Sequence, residues 1–338
     1  MARDGALGMP LRSFQGMNRN PEVSVVMSVY NGAATLAGTI DSILSQEGVE
    51  FEFIVVNDGS SDGSGQILIE YAQRDGRLRV IHQENSGLTR ALIRGCNVAR
   101  GEFIARQDAG DVSLPTRLKR QAALLRGYPD CVLVSCWTDM IGPRGEFLYT
   151  TRGTGAASSP VNILSPGEKS GMIDGPTSHP SAMFRTTQYF QCGGYRSEFY
   201  LGQDWDLWYR LASLGTFCTI QQTLCVCRIT LGSVSSLCKP EQNKFGQLSR
   251  KAMLLRQKGL PDEPLLAEAR QILSSLKRRM TRQDKAAANY FIGKCLLDNR
   301  NQAAAGYLIS AIKEDPLHLR AWFSFARSAL LIGRNQIL

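Results

Sequence analysis

From residue 23 onward, four apolar runs alternate with three helical patterns, and this order constrains the fold more than any other feature of the sequence. The predicted strands are residues 23–29, 51–56, 78–82 and 102–107, and the predicted helices are residues 35–46, 66–74 and 89–99. Strands and helices that alternate in this way form a parallel sheet with helices on its faces. Such sheets bind ligands outside the carboxyl ends of their strands. The sequence therefore predicts an α/β fold whose functional residues follow the strands.

Two of these strands are followed by polar loops. Residues 28–32 read SVYNG after the first strand, and residues 57–63 read NDGSSDG after the second. Glycines in such loops let the backbone approach a ligand closely, and the polar side chains accept hydrogen bonds. The same residue types also favour ordinary turns and helix caps, which explain residues 57–63 better when that loop is considered alone.

The fourth strand ends in two carboxylates. Asp108 and Asp111 follow the apolar run, with Ala109 and Gly110 between them. The strand ends of a parallel sheet meet at one edge, so we expect acidic groups from the second and fourth strands to converge on one crevice. Carboxylates held close together repel one another, and a divalent cation bound to phosphate oxygens is the usual compensation. The sequence therefore predicts a site for a metal and a phosphate group at this edge.

Several ordered motifs together resemble the family 2 glycosyltransferases of the GT-A fold. The resemblance covers roughly residues 22–230 and rests on the runs VSVVMSVYNGAATLAGTIDSIL, FIVVNDGSSDGS, ENSGLTRAL, GEFIARQDAGDVSLPTRLKRQ, HPSAMFR, GGYR and QDWDLWYRLASLG. It implies an α/β domain of the GT-A type, in which helices cover both faces of a Rossmann-like nucleotide-binding sheet. It also implies inverting transfer of a sugar from a nucleotide donor to a glycan or lipid-linked hydroxyl acceptor, in the synthesis of cell-surface or extracellular polysaccharide or glycolipid.

By this resemblance, the loops after the first two strands bind the nucleotide. Ser28, Tyr30 and Asn31 would line the nucleoside pocket, with the Tyr30 ring against the base. Asp58, expected in an exposed loop at the strand end, would accept a hydrogen bond from the base, which slightly favours UDP over GDP or dTDP. Arg90 would direct a cation at the phosphates from the first turn of a helix. Capping of that helix by Thr89 explains the segment equally well.

The acidic cluster departs from the family pattern at one position. The common form is D-A-D-D, and its third acid is the one credited with binding the metal, whereas Gly110 stands there in this sequence. The resemblance implies that Asp108 and Asp111 bind Mn²⁺ or Mg²⁺ beside the diphosphate. With Gly110 at the third position, either Asp111 takes over the ligand role or metal binding is weakened. A catalytically weak protein that binds sugar nucleotides is the alternative interpretation.

The acceptor side supplies the candidate base. Asp204 matches the family residue that takes the proton from the attacking hydroxyl, although Gln203 replaces the Glu that usually precedes it. Asp204 is also explained as the N-cap of the following helix. His179 matches the family's H-P segment and is assigned to donor binding, with a hydrogen-bonded core histidine as the alternative. Asp206 and His179 are the next candidates for the base.

Residues 239–338 have a different, helical pattern. We therefore divide the chain into a flexible tail at residues 1–21, a GT-A domain at residues 22–238 and this helical region, which is tetratricopeptide-like from about residue 286. One and a half such units are too few for a stable array, so the region should pack on the transferase domain or bind a protein partner. An interaction protein that functions through its helical region is a second alternative.

Positive charge is concentrated at the start of the helical region. Residues 239–285 hold 12 Lys and Arg against 5 Asp and Glu, which gives +7 of the formal net charge of +9. A solvated helical face explains this excess as well as contact with an anionic membrane surface does. Nucleic acid is disfavoured as a partner because aromatic residues do not interleave with these charges. A dinucleotide oxidoreductase is disfavoured because VYNGAAT, not a G-x-G-x-x-G motif, follows the first strand.

The remaining features concern location. No run approaches the roughly 18 continuous apolar residues that a membrane span requires, and the first 20 residues lack the apolar core of a signal peptide. The nine Cys are an odd number without zinc-binding spacing, which favours a reducing compartment. We therefore expect a cytoplasmic protein that would reach a membrane by peripheral attachment to the inner face of the plasma membrane.

Overall fold

The computed structural model describes residues 20–153, 161–164, 175–231, 239–275 and 281–335. The predicted N-terminal tail lies outside these ranges except for its last two residues. Strands β1 to β10 are Val23–Val29, Phe51–Asp58, Leu78–Gln83, Phe103–Asp108, Val112–Ser113, Cys131–Ile141, Phe147–Thr151, Val161–Leu164, Met183–Arg185 and Thr216–Arg228. Helices α1 to α11 are Ala33–Leu44, Ser64–Arg74, Leu88–Asn97, Arg117–Gly127, Thr186–Gln191, Gln203–Leu211, Lys239–Gln257, Glu263–Ser275, Arg282–Asp298, Ala304–Glu314 and Leu319–Asn335, and a 3₁₀ helix covers His179–Ser181.

The strands form one mixed sheet. Its order is β3-β2-β1-β4-β9-β6-β10-β5, with β7 paired to β6 and β8 paired to β10. The four predicted strands are β3, β2, β1 and β4, and they pair in parallel as expected. Beyond them, β9 runs antiparallel to β4 and β6, and β10 runs parallel to β6. The parallel half therefore carries the donor-side loops, and the mixed half extends the sheet on the β4 side.

Both faces of the sheet are buried, as the α/β prediction requires. Val25 and Met27 of β1 pack in one apolar core with Leu36 and Ile40 of α1. Val26, between them in sequence, packs in the opposite core with α3 and α6. Successive residues of a strand point to opposite faces, so a strand covered on both sides needs a continuous apolar run. This requirement explains the sequence VSVVMSV.

The helical C-terminal region packs on the transferase domain. Leu148 of β7 shares an apolar cluster with Ile292 and Leu296 of α9 and with Tyr307 of α10. The Tyr307 hydroxyl also donates a hydrogen bond to Glu146 at 2.9 Å. A second cluster joins α7 and α8 to the chain that precedes α6. Of the two expectations for this region, packing on the transferase domain is therefore observed.

Within the described ranges, none of the helices combines the length and the apolar character needed to cross a bilayer.

Candidate active site

The two donor-side loops hold each other in place. The Asn31 side-chain oxygen accepts a hydrogen bond from the Ser61 backbone N–H at 2.8 Å, and the Asn31 N–H donates to the Ser60 hydroxyl at 3.0 Å. Ser28 is buried in β1, in register with Asp108 of β4. The Tyr30 side chain is 56% exposed at the mouth of the site. Much of the polar sequence in these loops therefore has a structural role, whereas the exposed Tyr30 ring is open to a ligand.

Asp58 corrects a prediction made from the sequence. We expected it in an exposed loop, but β2 extends two residues further than predicted, and Asp58 is 2% exposed at its end. One carboxylate oxygen accepts hydrogen bonds from the Gln83 side chain at 2.7 Å and the Ser86 N–H at 2.9 Å. The other accepts the Gly87 N–H at 2.9 Å. Asp58 therefore orders the loop that leads into α3, in addition to any contact with a nucleotide.

The start of α3 differs from the helix-capping interpretation. Gly87 occupies the N-cap position with a φ of 89°, and the Thr89 hydroxyl donates to the Phe199 carbonyl at 3.0 Å. The ring of Tyr200 lies 2.5 Å from where a Cβ on Gly87 would be, so a side chain there would be both strained and obstructed. Thr89 thus attaches α3 to the acceptor side. Arg90 in the same turn is exposed, at the edge where phosphate binding was predicted.

The structure brings Asp108 and Asp111 together in a tight turn. The Asp111 N–H donates to the Asp108 carbonyl at 3.2 Å, and Gly110 between them has a φ of 101°, which strongly favours glycine. Asp111 is buried and accepts the Arg228 N–H at 2.8 Å. Burial, with the Asp108 charge as a second cause, raises the pKa of Asp111 to about 7. Within the described ranges, no three His, Cys, Asp or Glu side chains are grouped closely enough to hold a metal by themselves.

Arg106 is a site residue that the sequence analysis missed. Its guanidinium is completely buried in β4 and forms an ion pair with Asp108. It also donates to the Val26 carbonyl at 2.6 Å and, through Nε, to His179 Nε2 at 3.1 Å. The signal was present in the sequence, because an arginine inside a strand buried on both faces needs several acceptors.

His179 is held as a neutral hydrogen-bonding group. Its Nε2 accepts from Arg106 and lies 2.8 Å from the Tyr195 hydroxyl. Burial and then the Arg106 charge lower the pKa of His179 well below its usual value, while burial raises that of Tyr195. Because Nε2 accepts the Arg106 N–H, the neutral ring carries its proton on Nδ1. These contacts occupy Nε2 within the protein, and the roles of His179 in donor binding and as a reserve base stay predictions.

Asp204 lies in the first turn of α6, on the acceptor side of the site. Gly202, with a φ of 71°, occupies the N-cap position, so the prediction that Asp204 is the cap is wrong. Asp204 accepts the Trp205 N–H at 2.9 Å. Burial, with a smaller contribution from the Asp108 charge, raises the pKa of Asp204.

Asp206, the other reserve candidate for the base, has a structural role. Its side chain is completely buried and forms ion pairs with Arg196 and Arg210. The Arg210 Nη2 lies 2.7 Å from one carboxylate oxygen. Both carboxylate oxygens of Asp206 are occupied by these arginines in the interior, so they are not placed to take a proton from an acceptor.

A sheet with helices on both faces and polar residues beyond the carboxyl ends of its strands is typical of nucleotide-binding α/β proteins, the class to which the GT-A fold belongs. Residues 24–184 match a family model described as Glycosyl transferase family 2. The chain is 34% identical over 204 residues to EpsE of Bacillus subtilis (strain 168), a glycosyltransferase by name, covering 59% of this chain and 69% of the relative. It is 30% identical over 194 residues to the O-antigen biosynthesis glycosyltransferase WbnJ of Escherichia coli, covering 56% and 71%. The chain therefore belongs to glycosyltransferase family 2.

Solved structures share this fold along most of the chain. TarS 1-349 of S. aureus, in complex with UDP-GlcNAc, has a TM-score of 0.55 at 16% identity, covering 93% of this chain and 91% of that one. The mannosyltransferase PcManGT of Pyrobaculum calidifontis, in complex with GDP-Man and Mn²⁺, has a TM-score of 0.51 at 16% identity, covering 93% and 86%. These similarities confirm the GT-A fold predicted from the motifs.

The burial of Asp58 gives a first prediction. Asp58→Ala removes the acceptor for the buried Gly87 N–H and for the Ser86 N–H. A buried donor left without an acceptor costs about 1–3 kcal/mol, so the free energy of unfolding should fall by that amount in chemical denaturation. Glu84→Ala, which removes an exposed carboxylate from the same loop, is the matched control and should change it by less than about 0.5 kcal/mol. Equal stability of the two variants would show that Asp58 does not order the loop.

Proposed function

We propose that this family 2 glycosyltransferase inverts the anomeric carbon of a nucleotide-activated sugar while transferring it to a hydroxyl of a glycan or lipid-linked acceptor. The observation that carries the proposal is the turn at the carboxyl end of β4, which brings Asp108 and Asp111 together, with Arg106 pairing with Asp108 and donating to His179. Relatives named for O-antigen biosynthesis and structural neighbours solved with UDP-GlcNAc and GDP-Man support this class of substrates. Assembly of cell-surface or extracellular polysaccharide or glycolipid is the proposed setting.

The nucleoside would bind between the first two strand ends. Tyr30 is exposed there and offers a ring face to the base, while Ser28 and Asn31 shape the floor and the rim of the pocket. Both carboxylate oxygens of Asp58 already accept hydrogen bonds from within the protein. Each oxygen can accept more than one, so Asp58 would bind the nucleobase through its remaining lone pairs. A UDP-linked donor is the proposed preference. Exposed Arg90 would bring its charge to the phosphates.

Asp108 and Asp111 would suit a divalent cation whose remaining ligands come from the substrate. Mg²⁺ and similar ions bind one or two carboxylates together with substrate phosphates and water. The buried Asp111 carboxylate, with its pKa raised by burial and by the Asp108 charge, has the mutual repulsion that a cation relieves. Mn²⁺ or Mg²⁺ held by these two residues would neutralise charge that builds on the diphosphate leaving group. Arg106 keeps the Asp108 carboxylate in position.

Asp204 would remove the proton from the acceptor hydroxyl. Burial raises the pKa of Asp204, which brings that pKa nearer to the pH at which the enzyme works. A general base is most effective there, because it is ionised and still binds a proton well. A single displacement in which the acceptor attacks opposite the leaving diphosphate inverts the anomeric carbon. Asp204 lies on α6 whereas Asp108 ends β4, so the candidate base and the diphosphate-binding residue come from different elements and could approach the sugar from different sides.

The proposed base gives a second prediction. Asp204→Asn preserves the shape of the side chain but cannot accept the proton, so kcat should fall about 10²- to 10⁴-fold. Donor affinity, measured by titration calorimetry with UDP and Mn²⁺, should stay within about twofold, because the group acts in the transition state. Asp298→Asn, which changes an exposed carboxylate of α9, is the control. A variant that transfers sugar at the wild-type rate would exclude Asp204 as the base.

A third prediction concerns donor and metal. UDP-sugars with Mn²⁺ should raise the melting temperature more than GDP- or dTDP-sugars, because a ligand at 100 times its Kd adds about 2.7 kcal/mol to the folded state. EDTA should abolish most of this shift, and Asp111→Asn should reduce it while Asp298→Asn leaves it intact. A shift that is unaffected by both EDTA and Asp111→Asn would contradict the metal site. Donor binding without sugar transfer to any acceptor would instead favour the catalytically weak alternative suggested by Gly110.

We also propose that the helical region attaches the protein to an anionic bilayer. The turn between α10 and α11 exposes Leu317 by 86% and Leu319 by 79%, and Phe323 of α11 is 69% exposed. Side chains this exposed project from the surface, and a deformable lipid surface accommodates such projections. Exposed Arg320 beside them, and the net charge of +7 in residues 239–285, complement anionic headgroups.

Vesicle sedimentation tests this attachment as a fourth prediction. The protein should bind vesicles of phosphatidylcholine with phosphatidylglycerol and should bind phosphatidylcholine alone much less. Added salt at about 0.5 M should release it, because salt screens the attraction between exposed charges. Leu317→Ser with Leu319→Ser should lower the partition coefficient at least about tenfold. Ile309→Ser, on a less exposed face of α10, is the control. Equal binding of the double variant, or of neutral vesicles, would contradict the proposal.

A further inference from the structure

The segment that leads into α6 is held by an arginine with two acidic partners. Arg196 Nε lies 3.0 Å from one oxygen of Asp206, and its Nη2 pairs with the other oxygen. Arg196 Nη1 donates to Asp262 at 2.8 Å. Asp206 belongs to the first turns of α6, two residues after Asp204, whereas Asp262 belongs to the loop between α7 and α8. One guanidinium therefore connects the helix that carries the candidate base to the helical region beyond residue 238.

Asp262 is itself fixed from a second side. Arg256, near the end of α7, donates to the same Asp262 oxygen at 2.5 Å. Burial acts to raise the pKa of Asp262, but the hydrogen bonds and charges of Arg196 and Arg256 outweigh it and lower that pKa. The result is a chain of alternating charges, Asp206–Arg196–Asp262–Arg256, in which each inner member has a partner on both sides. Charges linked in this way fix each other's direction as well as their position.

An apolar cluster reinforces the same connection. Phe199 and Leu201, which precede α6, pack with Phe245 and Leu248 of α7 and Ala269 of α8. The rings of Phe199 and Phe245 meet edge to face with centroids 6.1 Å apart. The helical region therefore contacts residues 196–201 twice: Asp262 pairs with Arg196, and α7 and α8 pack against Phe199 and Leu201.

We propose that Asp262 is a positioning residue for sugar transfer, which acts through Arg196 and Asp206 to fix the first turn of α6 and the carboxylate of Asp204. The inference rests on the proposed role of Asp204 as the base. Under this proposal, α7, α8 and the loop between them support the acceptor side of the active site. Both helices lie outside residues 24–184, the part of the chain that matches the family model.

The geometry of proton transfer makes such positioning consequential. A general base works within about 2.6–3.2 Å of the proton donor, and a displacement of about 1 Å can cost about 10²-fold in rate. Without Asp262, the Arg196 guanidinium loses one of its two acidic partners and is free to turn away from Asp206. The hydrogen-bond partners described for Asp262 are Arg196 and Arg256, whereas the donor-side residues lie at the ends of β1, β2 and β4. Loss of Asp262 should therefore lower kcat and leave nucleotide binding unchanged.

The test uses the full chain with Asp262→Asn, which keeps the size of the side chain. We expect kcat to fall about 10- to 100-fold, while the Kd for UDP with Mn²⁺ changes by less than about twofold. Asp262→Glu, which keeps the charge, should recover part of the loss. Glu198→Gln is the matched control, because Glu198 lies in the same segment and pairs with Arg270 of α8 at 2.9 Å, outside the Asp206–Arg196–Asp262–Arg256 chain of charges. Arg196→Lys is a second variant, since lysine keeps the charge but cannot span both carboxylates.

A readout that does not depend on activity separates this inference from the proposed base. With 5-fluorotryptophan incorporated, the ¹⁹F resonance of Trp205, which follows Asp204 in α6 and donates its backbone N–H to that carboxylate, should shift or broaden in Asp262→Asn. The Trp322 resonance, on α11, should stay unchanged. If Asp204→Asn proved fully active while the Trp205 resonance still responded, the base would be wrong and the positioning contact would stand. An unchanged Trp205 resonance with wild-type kcat, or an equal loss of UDP affinity, would overturn the inference for Asp262.

Discussion

The buried guanidinium of Arg106 is the interaction on which the candidate site depends. A charge in the interior of a sheet is tolerated when paired and fully hydrogen-bonded, and Arg106 meets this condition by joining β1, the end of β4 and the 3₁₀ helix. Its partner Asp108 is therefore fixed at the strand end, and His179 is fixed as a neutral acceptor. A second buried arginine, Arg117 of α4, donates to the Arg106 carbonyl at 3.0 Å and to Pro180, which secures the 3₁₀ helix from the other side. The site is thus built around internal cations before any ligand binds.

The parallel half of the sheet was predictable because each of its strands is buried on both faces, so that the apolar runs and the intervening helices are legible in the sequence. The mixed half was not predicted, since β9 has only three residues and pairs with strands distant in sequence. Asp58 was placed in an exposed loop because polar residues usually end a strand, whereas its two oxygens receive N–H groups from a loop about 28 residues later. Spacing along the chain carries no information about such partners.

The same limit applies to the acceptor side. The motif around Asp204 identified a candidate base, but the contacts that hold its helix could not be predicted, because Arg196 and Asp262 are separated by 66 positions. The helical region is part of the structure around the site. Its first two helices and the loop between them make a charged and an apolar contact with the segment before α6, and α9 and α10 pack on β7. A boundary near residue 238 follows the change of sequence pattern, but it does not separate two independent cores.

The central claim is that one site joins a nucleotide pocket at the β1 and β2 ends, a diphosphate position at Asp108 and Asp111, and a base at Asp204. The most direct measurement is a crystal structure of the full chain with UDP and Mn²⁺. The account predicts the uracil ring against Tyr30, the diphosphate and metal beside Asp108 and Asp111, and the Asp204 carboxylate open to the space beyond the terminal phosphate. A nucleotide bound elsewhere, or an Asp204 side chain turned into the protein and away from the diphosphate, would contradict it.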